Sequence, residues 1–108
     1  MRLTAEFWVK AYLTRLRLAD IPGFVVAHGD HTGGAVLIKV STLDGQARLM
    51  QRGFDLMSGE RAWVELAAGD EAEVDASVAR QRAFDPDLWV IEVEDRAGRD
   101  LLDEPGLS

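Results

Sequence analysis

The sequence contains no cysteine. Disulfides, thiolate nucleophiles and zinc sites of the finger or ribbon type are therefore excluded. Histidine is scarce too, with His28 and His31 the only two. No stretch approaches the ~18 continuous apolar residues that read as a membrane-spanning helix. The opening MRLTAEFWVKAYLTRLRLAD is broken by Lys10, Arg15 and Arg17, whereas a signal peptide carries an uninterrupted apolar core. No membrane association is expected, and the expected location is the cytoplasm. Internal repeats and low-complexity tracts are absent as well.

What is present suits one small domain. Apolar residues make up 47% of 108, enough for a core without external staples. Ordering the chain costs about 1–2 kcal/mol of backbone entropy per residue, so most large apolar side chains should be committed to packing. Residues 1–103 are expected to form a single α+β domain, and 104–108 a short polar tail that frays. The formal charge is −7, unevenly placed. Residues 1–52 hold seven basic and four acidic groups, net +3, and residues 53–108 hold five and fifteen, net −10. A domain so acidic repels phosphate backbones, and no nucleic-acid partner is expected.

The pattern predicts the order α-β-β-β-β-α-β. Thr4 can cap a first helix running to about Asp20, with Phe7, Trp8, Ala11, Tyr12, Leu16 and Ala19 on one apolar face. Pro22 and Gly23 end it. Strands follow at 24–28 and 35–43, separated by the turn GDHTGG. Asp44-Gly45 is a favoured pair for a tight type I′ hairpin, and 46–54 returns as the next strand. After a loop at 55–60, residues 61–67 alternate with Ala62, Val64 and Leu66 inward, which leaves Trp63 as an exposed aromatic. A second helix over roughly 71–84 would turn Ala72, Ala76 and Ala79, with Val78 and Phe84, inward. Asp85-Pro86 stops it, and a last strand at 88–95 points Trp89, Ile91 and Val93 to the core with Glu92 and Glu94 outside. Five strands in an antiparallel sheet with both helices on one face make a two-layer α+β sandwich.

Few residues offer chemistry. His28, Asp30 and His31 in H-G-D-H could present metal ligands, but a third ligand must come from elsewhere and turn chemistry explains them. Gly29, Gly33 and Gly34 match neither the P-loop nor the dinucleotide fingerprint. Asp85, Asp87, Glu92, Glu94 and Asp95 could gather a divalent cation or an acid/base pair, or could serve as caps and a charged outer face. Arg48 and Arg52 share a strand parity and could join Lys39 in a basic patch, or pair with acidic neighbours. Ser41, Ser58 and Ser77 lack a nucleophile elbow.

The chain resembles the alphaproteobacterial family catalogued as domain of unknown function 1491. The resemblance covers about residues 2–103 and rests on RLTAEFWVKAYLTR, on IPGFVVAHGDHTGGAVLIKV with the following LDG, and on RQRAFDPDLWVIEVEDRAGRDLLD. Within the last, F-D-P-D-L-W and E-x-E-D-R-x-G-R are distinctive. The family carries no established activity, so the resemblance implies no catalytic residue, cofactor or metal. It does imply a shared pattern that includes Trp8, Gly34, Asp44, Asp85, Pro86, Trp89 and Asp95. Turn chemistry accounts for Asp44, Asp85 and Pro86. Tyr12, Arg15, Glu94 and Arg99 have weaker structural reasons, and are where a shared surface site is expected.

Three functions compete, of which weak nucleic-acid binding through Lys10, Arg15, Arg17, Lys39 and Arg48 conflicts with the acidic total. The favoured one is a non-enzymatic protein-interaction or homo-oligomerising domain, with a protein partner or a second copy meeting an edge strand and Trp63 as the anchor. The alternative is a metal-assisted hydrolase or nuclease built on the acidic residues of 85–95.

Overall fold

The structure is a computed structural model that describes residues 4–54, 57–59 and 61–107. Of the loop expected at 55–60, residues 55, 56 and 60 lie outside the described set. Thr4 caps helix α1 (Ala5–Leu18), its hydroxyl accepting from the Phe7 N–H at 3.1 Å. Glu6 lies in the first turn and Arg15 and Arg17 in the last, each at the helix end whose partial charge suits it. Trp8, Val9, Tyr12 and Leu16 are the buried face. Phe7, expected inside, is 59% exposed, because the buried stripe is centred on the far side of Trp8.

Five strands follow the predicted order around a second helix: β1 (Gly23–Ala27), β2 (Val36–Ser41), β3 (Gln46–Phe54), β4 (Arg61–Asp70), α2 (Glu71–Phe84) and β5 (Trp89–Glu94). They form one sheet in the order β1-β5-β2-β3-β4. Three pairings are antiparallel, but β5 runs parallel to β2, with Val36 beside Trp89 and Ile38 beside Ile91. The α+β class, five strands and mostly antiparallel pairing are as the sequence predicts.

The placement of the helices is not. A parallel neighbour requires the chain to return along the sheet before β5 begins, and α2 makes that crossover. The two helices therefore lie on opposite faces. On one, α1 packs over Ile38, Val40, Trp89, Ile91 and Val93; on the other, Val74 and Val78 of α2 pack over Leu37, Leu49 and Val90. Strand β2 is buried along its whole length. The signal was present in VLIKVS, whose large apolar residues occupy both parities, as in strands covered on two faces.

Three local expectations are corrected by the same geometry. In α2 the expected alanines Ala72, Ala76 and Ala79 face solvent, and Phe84 is 88% exposed, since the two valines are the larger contacts at one-turn spacing. In β4 the parity is reversed: Trp63 lies opposite Arg52 on the α1 side, and Val64 and Leu66 are exposed. The β2–β3 turn spans four residues, 42–45. Positive φ falls on Leu43 and Gly45, and the Asp44 carboxylate instead accepts from Thr42 Oγ1 and the Gln46 N–H. An Asx-type acceptor thus replaces the expected two-residue turn.

Lys39 is the charged residue at the centre of the α2 face, 4% exposed. Its ammonium meets Asp75 at 2.6 Å, Glu71 at 2.9 Å and Glu92 at 3.2 Å, tying α2 to both β2 and β5. Burial alone would lower its pKa, but the three carboxylates outweigh that and raise it. Lys39→Met leaves three carboxylates facing an apolar group. The partly exposed partners place the cost near the lower end for a broken buried pair, about 3 kcal/mol by urea unfolding at pH 7. Since the folded state binds this proton more tightly, the stabilisation is complete below the unfolded lysine value of about 10.4. From pH 7 up to that value the gap between wild type and variant should hold, and above it the gap should shrink.

Candidate functional site

The four residues expected to share a site do not converge on a cleft. Tyr12 is fully buried, and its hydroxyl donates to the Asp100 carbonyl at 2.8 Å. Burial raises its pKa, and the neighbouring Asp100 raises it further against the lowering effect of Arg48, so it stays a neutral donor. Arg15 donates to the Pro105 carbonyl at 3.1 Å and pairs with Glu104 at 3.5 Å. Glu94 lies on the α2 parity of β5, and its N–H donates to the Pro22 carbonyl at 3.0 Å. Arg99 is exposed and grips Asp95 through its backbone N–H, Nε and Nη2. Those bonds hold the Asp95 carboxyl below its ordinary pKa.

Tyr12 and Arg15 do share a target. Residues 100–107 cross the α1 face, where Leu102 and Leu107 are buried in the core cluster. The expected fraying tail is instead a strap. Arg48 donates to the Gly98 carbonyl at 2.6 Å and to Asp100 at 2.7 Å, and the Trp63 indole donates to the Leu107 carbonyl at 3.0 Å. Trp63, the expected exposed anchor, is therefore partly buried under the strap. Sequence reasoning missed this because Asp-Glu-Pro-Gly reads as solvated chain, whereas the strap is fixed by carbonyls that any residue could supply.

The other candidates are also committed. The His31 ring contacts the Glu6 carboxylate, and Asp30 accepts from the Thr32 and Gly33 N–H groups. The distinctive F-D-P-D-L-W segment meets this glycine-rich turn: Asp30 N–H donates to the Asp87 carbonyl and the Trp89 indole to the Asp30 carbonyl, both at 2.8 Å. A Cβ on Gly29 or Gly34 would lie about 2.3 or 2.5 Å from that Asp87 carbonyl, so close approach explains both glycines. Asp85 accepts from the Asp87 N–H, Glu92 is held by Lys39 and Asp95 by Arg99, which separates the carboxylates of 85–95. Lys39 faces α2 while Arg48 and Arg52 face α1, so the three form no common patch. Among the described residues no group of three or more His, Asp or Glu is arranged to hold a metal.

One residue, which the sequence grouped with Arg48 and Lys39, stands out. The Arg52 guanidinium lies over a pair of touching rings, 5.0 Å from the centre of Trp8 and 5.2 Å from that of Trp63, the two ring centres being 5.3 Å apart. Trp8 in turn stacks on Tyr12 at 5.0 Å. The aromatic layer, the strap and α1 are thus one unit. Tyr12→Phe, which leaves the Asp100 carbonyl unserved, should cost about 1–2 kcal/mol. It should also speed amide exchange selectively across 100–107; uniform exchange rates with unchanged stability would remove the strap from the account.

With this geometry in view, comparison with known proteins is informative. Residues 3–103 match the model of the family described as protein of unknown function DUF1491. A crystal structure of a DUF1491 family protein from Caulobacter crescentus CB15 is 39% identical, with a TM-score of 0.86 over 96% of this chain and 98% of that one. An NMR structure of a DUF1491 family protein from the same organism gives 39% identity and 0.82 over 97% and 96%. A solution structure from A. tumefaciens gives 29% and 0.73 over 87% and 86%. No curated protein matches the sequence. The chain belongs to the DUF1491 family of proteins of unknown function.

Proposed function

We propose that this chain is a non-enzymatic interaction domain that pairs with a second copy of itself through the open edge of β4. The observation that carries the reading is the character of that edge. Among the described residues strand β4 is last in the sheet and pairs only with β3. Exposed edge strands are normally short, bulged or heavily charged, because their free N–H and C=O groups recruit other strands. Here the register with β3 is regular from Arg61 to Glu65, with the irregularity only beyond it. The opposite edge, β1, is five residues long and itself bulged between Val25 and Ala27, which suits pairing less well.

The segment Arg61–Glu65 is self-complementary. In an antiparallel pair centred on Trp63, Arg61 of one copy lies opposite Glu65 of the other, twice, on one face of the joined sheet. On the other face Ala62 lies opposite Val64, and Val64 is 42% exposed in the single chain. Both charged residues are exposed in the single chain. Opposite-charge and apolar cross-strand pairs of this kind each favour association. The metal-assisted hydrolase alternative has less support, since the carboxylates it relies on are bonded in separate places.

Light scattering after gel filtration tests the pairing. Wild type is expected at twice the chain mass at high micromolar concentration. Arg61→Glu or Glu65→Arg alone should yield monomers by placing like charges opposite, and the double exchange should restore the dimer. Wild-type monomer throughout, or a dimer indifferent to either reversal, would contradict the proposal.

A further inference from the structure

We infer that Arg52 is a receptor for an oxyanion, a carboxylate or phosphate group, held side-on by its Nε and Nη2 atoms. Among the described residues three buried side-chain donors find no acceptor: Arg52 Nε, Arg52 Nη2 and Trp8 Nε1. All three belong to one stacked unit, because the Trp8 ring is one on which the guanidinium lies. Buried polar groups are almost always bonded, and an unserved cationic donor is the costliest kind. Several orphans gathered in one place point to a missing acceptor rather than to scattered defects.

The identity of the orphaned atoms sets the ligand chemistry. Nε and Nη2 form the side-on fork of a guanidinium, whose two parallel N–H bonds match the paired oxygens of a carboxylate or phosphate. The guanidinium rests over the rings of both Trp8 and Trp63, so its position is set before a ligand arrives. Lys39, Arg15 and Arg48, the other cations drawn into the fold, each meet a carboxylate. Among the described residues Arg52 meets none. Consistently, its pKa is lowered by burial and then by the neighbouring Arg61 cation. Both donor atoms are buried in the single chain. This inference is independent of pairing at β4, which uses the strand's backbone edge.

Nitrogen-15 correlation spectra of the full chain test it directly. Inorganic phosphate, then acetate, is titrated against sodium chloride at matched ionic strength while the Arg52 Nε–H and Trp8 indole resonances are followed. The Trp89 indole, bonded to the Asp30 carbonyl, is the internal reference. A saturable shift of both reporters with either oxyanion, absent with chloride, supports the site, and the more effective anion names the group. The shift should vanish in Arg52→Gln and weaken severalfold in Arg52→Lys, which keeps the charge but not the fork. No oxyanion-specific shift up to about 50 mM, or a shift that persists in a folded Arg52→Gln, overturns the inference.

Discussion

The parallel pairing of β2 with β5 is the constraint on which the rest of the molecule depends. It places β2 at the centre of the sheet, buried on both sides, and it obliges α2 to cross over the face opposite α1. From that follow two separate apolar layers rather than one. It also encloses Lys39, whose parity on β2 points it beneath α2. A lysine there is tolerated because Glu71 and Asp75 descend from the helix and Glu92 projects from the adjacent strand. The acidic excess of the C-terminal half is thus partly structural: three of its carboxylates neutralise a cation from the other half of the chain.

The α1 face is organised differently. Its layer is aromatic as well as aliphatic, and its outer boundary is the strap of residues 100–107. Tyr12, Arg15, Arg48 and Trp63 all bond to that segment or its approach, mostly through backbone carbonyls. Of the residues that share a pattern with the family and resist explanation as turn or cap, Tyr12 and Arg15 are therefore occupied by the strap, and Arg99 by Asp95. Arg52, beside the same aromatic layer, has no such occupation among the described residues.

Much of this was legible in the sequence, for identifiable reasons. The caps, the helix boundaries and the order of elements along the chain follow from local chemistry: Thr4 before an acidic turn, Asp85-Pro86 after a helix, alternation in 88–95. The face of α2, the parity of β4 and the placement of Tyr12, Arg15 and Trp63 were not legible, because each is decided by contacts between distant segments. Trp63 shows the limit clearly. Alternation in Ala62, Val64 and Leu66 is genuine, but α2 covers the far end of β4, so the aliphatic parity faces solvent while the tryptophan turns to α1. The contact between the H-G-D-H turn and F-D-P-D-L-W was hidden for the same reason, although both motifs were visible separately.

The positions left uncommitted carry the functional account. Carboxylates that might have formed a catalytic group are held apart by structural bonds, whereas the β4 edge from Arg61 to Glu65 is regular among the described residues and, in the proposal, complementary to itself. Hydrogen exchange measured across protein concentration tests this most directly, since it reads the backbone groups themselves. The account predicts slowed exchange in 61–65 as concentration rises, with β2 and β5 already protected at every concentration and unchanged. Concentration-independent exchange in 61–65, or protection appearing instead along β1, would contradict it.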